Sequence, residues 1–177
     1  VTAMIWEHSM ARGRQRLDEA GGAAPTLDLQ GYFPYRLARV AELVSLAVAE
    51  VYAERFALTR PEWRLLAVLG TREEIATREV LRQTTLDKMQ VSRAMQRLEG
   101  RGIVRRFRDP DDGRERIARL TAAGRTLYNR VVPLALAREE ALLAALTPRE
   151  AAVLDKVIDK LAAASADLAA VAARTEA

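Results

Sequence analysis

The sequence predicts a mainly α-helical protein with long terminal helices and a single β-hairpin. Three observations carry that reading. Half of the 177 residues are hydrophobic, Ala and Leu dominate, and aromatics make up only 5%, a composition of packed helices rather than of a disordered chain. Apolar residues recur at alternating steps of three and four in two long stretches, one in the first third and one at the end. Between them, short helical signals lead into an alternating ribbon, a turn and a second ribbon. The length suits one domain with a proper core, or a small domain carrying long helices.

The elements follow in order. Residues 1–30 read as an N-terminal arm, with a short helix around Trp6 to Glu19 that GGAAP breaks. A long helix follows to about Phe56, because Phe33, Leu37, Val40, Val44, Ala47 and Val51 form one stripe. Leu43 and Leu46 lie off that stripe, so more than one side is apolar. Thr59, Arg60, Pro61, Glu62 starts a second helix: a cap, a proline in the first turn and an acid close behind. That helix is expected to turn Trp63, Leu66 and Leu69 inward. Thr77 to Gln83 reads as a short third helix.

Asp87 with Gln90 three places on opens a fourth helix, which Gly100 or Gly102 can end. IVRRFR, DPDDG and RERIARL then spell a β-hairpin across 103–120. Thr121 begins another helix, expected to bend at Pro133, where the backbone donor is missing. Thr147, Pro148, Arg149, Glu150 is a capping box opening the last helix. Its Leu154, Val157, Leu161, Ala164, Leu168 and Val171 make a seam for another helix, its own or a second copy's. Two long terminal helices around a small middle domain suggest dimerisation. The expected divisions are 1–30 for the arm, 31–58 and 121–177 for dimerisation helices, and 59–120 for the middle domain.

Composition also narrows the function. No stretch free of Asp, Glu, Lys and Arg exceeds eight residues, so neither a membrane span nor a signal-peptide core is expected, and a cytoplasmic location follows. With no cysteine there is no disulfide, thiolate nucleophile or thiol switch. His8 is the single histidine, too little for a clustered zinc site, and no cofactor is implied. There is no phosphate-cradling glycine loop, no G-x-S-x-G elbow, and no histidine in the organised region to act as a general base. An enzyme is not expected.

The net charge of +4 is unevenly placed. Lys88 to Arg125 hold eleven Lys/Arg against five Asp/Glu, an excess of +6 that leaves −2 for the rest. Such a concentration suits an anionic polymer, although a solvated arginine-rich surface explains it equally well. Pattern adds what charge leaves open. Helix, short helix, helix and hairpin in succession form a winged helix-turn-helix layout. On the fourth helix, residues 87–100, Val91, Ala94, Met95 and Leu98 fall in one apolar arc at 100° per residue. Met89, Arg93, Gln96 and Gly100 point the opposite way, flanked by Gln90, Ser92 and Arg97. This outer face holds no acid before Glu99. Arginine suits a guanine edge, glutamine an adenine edge and an exposed methionine a thymine methyl, while flanking Ser and Arg suit phosphates.

The stretches LTRPEWRLLAVL, LDKMQVSRAMQRLEGRGIVRR and RDPDDGRERIARLTAAGRTL resemble the multiple-antibiotic-resistance regulator (MarR) family of bacterial transcription factors. The resemblance runs from about Gly31 to the C-terminus. Its specific part is the VSRxxxxLExxG helix joined to the DPxDxR wing and the LTxxG helix start. It implies a homodimeric, DNA-binding regulator, a ligand-responsive repressor, on a pseudo-palindromic double-stranded operator. It places Ser92, Arg93, Gln96 and Arg97, with Gln90 beside them, in the major groove. Arg114 enters the minor groove, with Asp112 orienting it and Arg116 nearby in the 103–120 wing. Gly113 stands where the family often has another arginine, and Gly100 where a charged residue is more usual.

The three carboxylates of the wing then have two readings: turn-formers at a hairpin tip, or, for Asp112, an acceptor that fixes the Arg114 guanidinium for a narrow groove. The resemblance also implies a ligand cleft between the dimer interface and the DNA-binding lobe. Tyr32, Tyr35, Arg36, Trp63 and Arg64 lie in segments expected to line it, and suit a small aromatic or phenolic acid. Trp6 resembles the tryptophan of a urate-responsive branch, but Arg64 stands where that branch has an acid. A helical dimer with a degenerate winged fold that binds only protein is the alternative function.

Overall fold

The computed structural model describes residues 26–109 and 116–175. Among these, six helices and three short strands follow in the order α1 (Phe33–Phe56), α2 (Arg60–Gly70), β1 (Ile75–Ala76), α3 (Thr77–Gln83), α4 (Lys88–Gly100), β2 (Val104–Arg108), β3 (Arg116–Leu120), α5 (Ala122–Leu143) and α6 (Pro148–Thr175). The chain divides into two units, residues 1–43 and 44–177, and α1 runs across the division. The arm expected over 1–30 lies almost wholly outside the described residues, including Trp6 and His8.

In the first unit the backbone enters α1 through a turn, with Tyr32 N donating to Leu29 O at 3.3 Å. The expected stripe is present on α1, but Phe33, Leu37 and Val40 are about half exposed, at 52%, 47% and 56%.

In the second unit the caps read from the sequence close the helix starts. Glu62 N donates to Thr59 Oγ1 at 3.4 Å, and Thr59 N returns a bond to Glu62 Oε2 at 2.7 Å. Asp87 and Gln90 form the same reciprocal pair at 2.7 and 3.1 Å. So do Thr147 and Glu150, whose carboxyl the Thr147 backbone N–H holds below its ordinary pKa. Each box satisfies two helix donors that have no partner in the helix itself.

The core sits where α2, α3, α4 and the sheet meet. Leu65, Leu66 and Leu69 of α2 pack with Val80 of α3, the apolar arc of α4, and Ile103, Val104, Ala118 and Leu120 at the sheet. Tyr52 and Leu58 join this core from the end of α1, and Val131 from α5. Trp63, expected inward, is half-buried and packs against this core. The buried face of α2 is Glu62, Leu65, Leu66 and Leu69, which leaves Trp63 at its edge, stacked on Tyr52 with ring centroids 5.5 Å apart.

The sheet has the order β1-β3-β2, antiparallel throughout. β2 and β3 are the expected hairpin. Two-residue β1 pairs Ile75 with Ala118 and covers the other edge of β3, an addition too short to read from periodicity.

The LTxxG start of α5 has a steric basis. Thr121 Oγ1 accepts from Gly124 N at 3.0 Å and donates to Gly102 O at 2.6 Å. A Cβ on Gly124 would lie 2.1 Å from the Ile103 carbonyl oxygen, so only glycine lets α5 approach the strand start this closely. α5 continues through Pro133 to Leu143. The α6 seam residues Leu154, Val157, Leu168 and Val171 are exposed.

Candidate nucleic-acid interface

α4 is anchored by its inner face and open on its outer one. Val91, Ala94, Met95 and Leu98 are buried, the four positions that the helical wheel placed inward. Met89, Gln90, Arg93, Gln96 and Arg97 are exposed and Ser92 is half-buried. A rigid apolar footing therefore presents two guanidiniums and an amide at one-turn spacing, the donors that base edges and phosphates accept. Gln90 has a prior commitment, because its Oε1 accepts from Asp87 N in the capping box. Only its amide NH2 remains free for an outward bond.

The end of α4 is set by Gly102, whose φ of 68° is a left-handed conformation that suits glycine. Gly102 N bonds to Glu99 O at 2.8 Å and Ile103 N to Leu98 O at 2.9 Å, which turns the chain directly into β2. Glu99, the one acid of the helix, faces this turn and not the outer surface. Its Oε1 accepts from Arg106 N at 3.1 Å and its Oε2 from Arg106 Nε at 2.8 Å. The Arg106 guanidinium holds the Glu99 carboxyl below its ordinary pKa, against the opposing effect of burial; Arg116 adds a smaller pull.

Along the hairpin the register pairs Arg105 with Arg119 and Arg108 with Arg116. Like charges directly opposite are unfavourable in a sheet unless something compensates. Arg119 has compensation: its Nη1 lies 3.1 Å from Glu74 Oε1, and its guanidinium sits 5.3 Å from the Phe107 ring centroid. Arg116 is exposed. Its carbonyl accepts from Thr77 Oγ1 at 2.8 Å, tying the strand below the wing tip to α3. Asp112 and Arg114, with the rest of the tip, lie outside the described residues.

The MarR family profile matches residues 58–115, the span from the start of α2 to the wing. Escherichia coli O111:H- transcriptional regulator HosA is 26% identical over 104 residues, 59% of this chain and 77% of its own. The ligand-bound PcaV transcriptional regulator of Streptomyces coelicolor is 25% identical, covering 80% of this chain and 99% of that one with a TM-score of 0.67. SPO1453, a MarR family transcriptional regulator of Silicibacter pomeroyi DSS-3, is 31% identical over 77% of this chain and 99% of its own, TM-score 0.64. The chain belongs to the MarR family. It is thus a transcriptional regulator on a winged-helix fold, and not an enzyme.

MarR regulators bind DNA as dimers, and some bind phenolic or aromatic ligands. Of the five residues considered for a ligand, Tyr32, Tyr35 and Arg36 belong to the first unit, with Tyr35 half-buried and the others exposed. Trp63 and Arg64 belong to the second. Arg64 Nη1 donates to Thr85 Oγ1 at 2.7 Å, and Trp63 stacks on Tyr52. Burial pushes the Tyr52 hydroxyl above its ordinary pKa, while Arg60 and Arg64 pull it the other way. Among the described residues no group of His, Cys, Asp and Glu is placed to hold a metal ion. No helix among them is long and apolar enough to cross a membrane.

Sequence reasoning did not single out Glu99, Arg101, Arg106 or Tyr52. Glu99 was visible in the LExxG motif, but its partner lies seven residues on, beyond a turn. Only the Gly102 geometry brings the two together.

Proposed function

We propose that this MarR-family regulator binds a pseudo-palindromic operator as a homodimer and represses, with α4 in the major groove and the wing in the adjacent minor groove. The observation that carries this reading is the outer face of α4. Arg93, Gln96 and Arg97 stand exposed over a fully buried inner arc, and the one acid, Glu99, is turned away and neutralised by Arg106. Arg93 and Gln96 are read as base contacts, and Ser92, Arg97 and the amide of Gln90 as phosphate or flanking contacts. Arg114, oriented by Asp112, and Arg116 are assigned to the minor groove.

Support for the dimer comes from apolar surface that one chain leaves uncovered. On α6, Val153 and Ile158 are 53% and 51% exposed, and the Leu154–Val157 seam runs between them. Operator binding as proposed requires the two α4 helices of such a dimer to lie about one DNA turn apart, ~34 Å.

The effector is proposed to be a small aromatic or phenolic acid. Half-buried Trp63 and Arg64, adjacent on α2, supply aromatic surface and a cation, with Trp63 resting on the buried ring of Tyr52, and the similar PcaV was solved with its natural ligand. Selection from random duplex DNA with the full chain, followed by a release assay with a panel of hydroxybenzoates, tests both parts. Recovery of a two-fold symmetric site with half-sites one turn apart is expected. Recovery of no preferred sequence would sink the operator reading.

A further inference from the structure

Arg101 belongs to the basic run from Lys88 to Arg125 and is exposed, so by position it reads as one more phosphate contact. Its guanidinium is engaged elsewhere. Nη1 donates to Ala57 O at 2.9 Å and Nη2 to Phe56 O at 2.9 Å, closing on the last carbonyls of α1 and the residue after it. These are carbonyls without helical partners, at the negative end of a 24-residue helix, where a cation is favoured.

Three further features make the junction a defined one. Ala57 has φ 49°, the one non-glycine residue in the left-handed region among those described, a conformation that persists only where its surroundings hold it. Leu58 N reaches back to Tyr52 O at 3.3 Å, and Leu58 and Tyr52 are both buried. From the other side, the Arg130 guanidinium of α5 lies 5.3 Å from the Phe56 ring centroid. Arg101 itself has little freedom, because its backbone caps α4, its N–H bonding to Arg97 O and Glu99 O. One side chain thus joins the end of α4 to the end of α1.

We infer that Arg101 is a positioning residue: it fixes the tilt of α4 against α1, and so links the long helix to DNA reading without touching DNA. This rests on the assignment of α4 to the major groove. A conformational change in α1 then reaches α4 through two hydrogen bonds, one from each prong of the planar guanidinium, a geometry that a lysine ammonium does not reproduce.

The test is a fluorescence-anisotropy titration of operator DNA with the full-length protein at several salt concentrations, comparing the parent with Arg101→Ala and Arg101→Lys. Circular dichroism and sedimentation establish that each variant is folded and retains the parent's association state. Both variants should bind roughly tenfold more weakly, within the range for coupling between sites, with the slope of log affinity against log salt unchanged. A phosphate contact behaves differently, because its loss reduces the slope by about 0.9 per contact and lysine replaces arginine well. A reduced slope, or parent-like affinity in Arg101→Lys, overturns the inference; should Arg101→Ala fail to fold, Arg101→Lys alone decides. Failure of the parent to bind any duplex would instead overturn the DNA-binding assignment, and this inference with it.

Discussion

The Glu99 carboxylate and the Arg106 guanidinium form a two-pronged pair across the turn that joins α4 to β2, with Glu99 also accepting the Arg106 backbone N–H at 3.1 Å. The pair fixes the hairpin's direction relative to the helix beside it. It also keeps the only acid of α4 away from the exposed arginines. Two elements assigned to different grooves are held by one side-chain contact, and several consequences can be measured.

Glu99→Gln keeps the shape and removes the charge. Because the pair is about three-quarters buried on each side, loss of a charge-assisted bond there should cost about 1–2 kcal/mol in urea denaturation. DNA affinity should fall as well, since the wing is no longer aimed. Unchanged stability would show that the hairpin is held by its core strands alone.

The same pair makes stability depend on acid. Arg106 holds the folded-state carboxyl of Glu99 below its ordinary value. Its contribution is therefore fully present above the unfolded-state pKa, near 4.3, and is lost as pH falls through the lower folded-state value. Thermal melts across that acid range should show the parent losing stability faster than Glu99→Gln. Parallel curves for the two proteins would count against the pairing.

Gly124→Ala should be one of the most damaging single-methyl changes in the chain. The added carbon would meet a backbone oxygen at 2.1 Å, and backbone has no rotamer to escape into, so a loss of about 1–3 kcal/mol is expected. Gly100→Ala is the control, because nothing lies within 4 Å of its added carbon, and alanine in a helix is favoured over glycine by about 1 kcal/mol. Equal melting temperatures for the two variants would contradict this account.

In the proposed homodimer the exposed α6 seam is the interface. Val157→Glu places a charge in the exposed seam and should convert a dimer into a monomer in sedimentation, with operator affinity falling alongside. A dimer that persists would move the interface elsewhere.

Much of this architecture was legible before the fold was known, and for local reasons. The three capping boxes at Thr59, Asp87 and Thr147 are signals within four residues, and the α4 arc is a period read within thirteen. What escaped depends on contacts distant in sequence. Arg101 reaches back 44 residues to Ala57, and Arg119 reaches 45 to Glu74. The two-residue β1 exists only because β3 offers it an edge. Trp63, expected inward, packs at the half-buried edge of α2, beside the fully buried arc of Leu65, Leu66 and Leu69. Buried Glu62 is tolerated there because it completes the cap with Thr59. In the site, the outer residues of α4 were recoverable from the wheel; which of the surrounding arginines were already engaged was not.

The central claim is that the exposed face of α4 reads DNA sequence. The most direct measurement is a gel-shift titration on the DNA upstream of the protein's own gene, with excess competitor duplex, for the parent and Arg93→Ala. The account predicts tight, specific binding by the parent, and a loss of about 1–3 kcal/mol in the variant with relaxed preference at one base position. Equal affinity and equal specificity for the two proteins would contradict it.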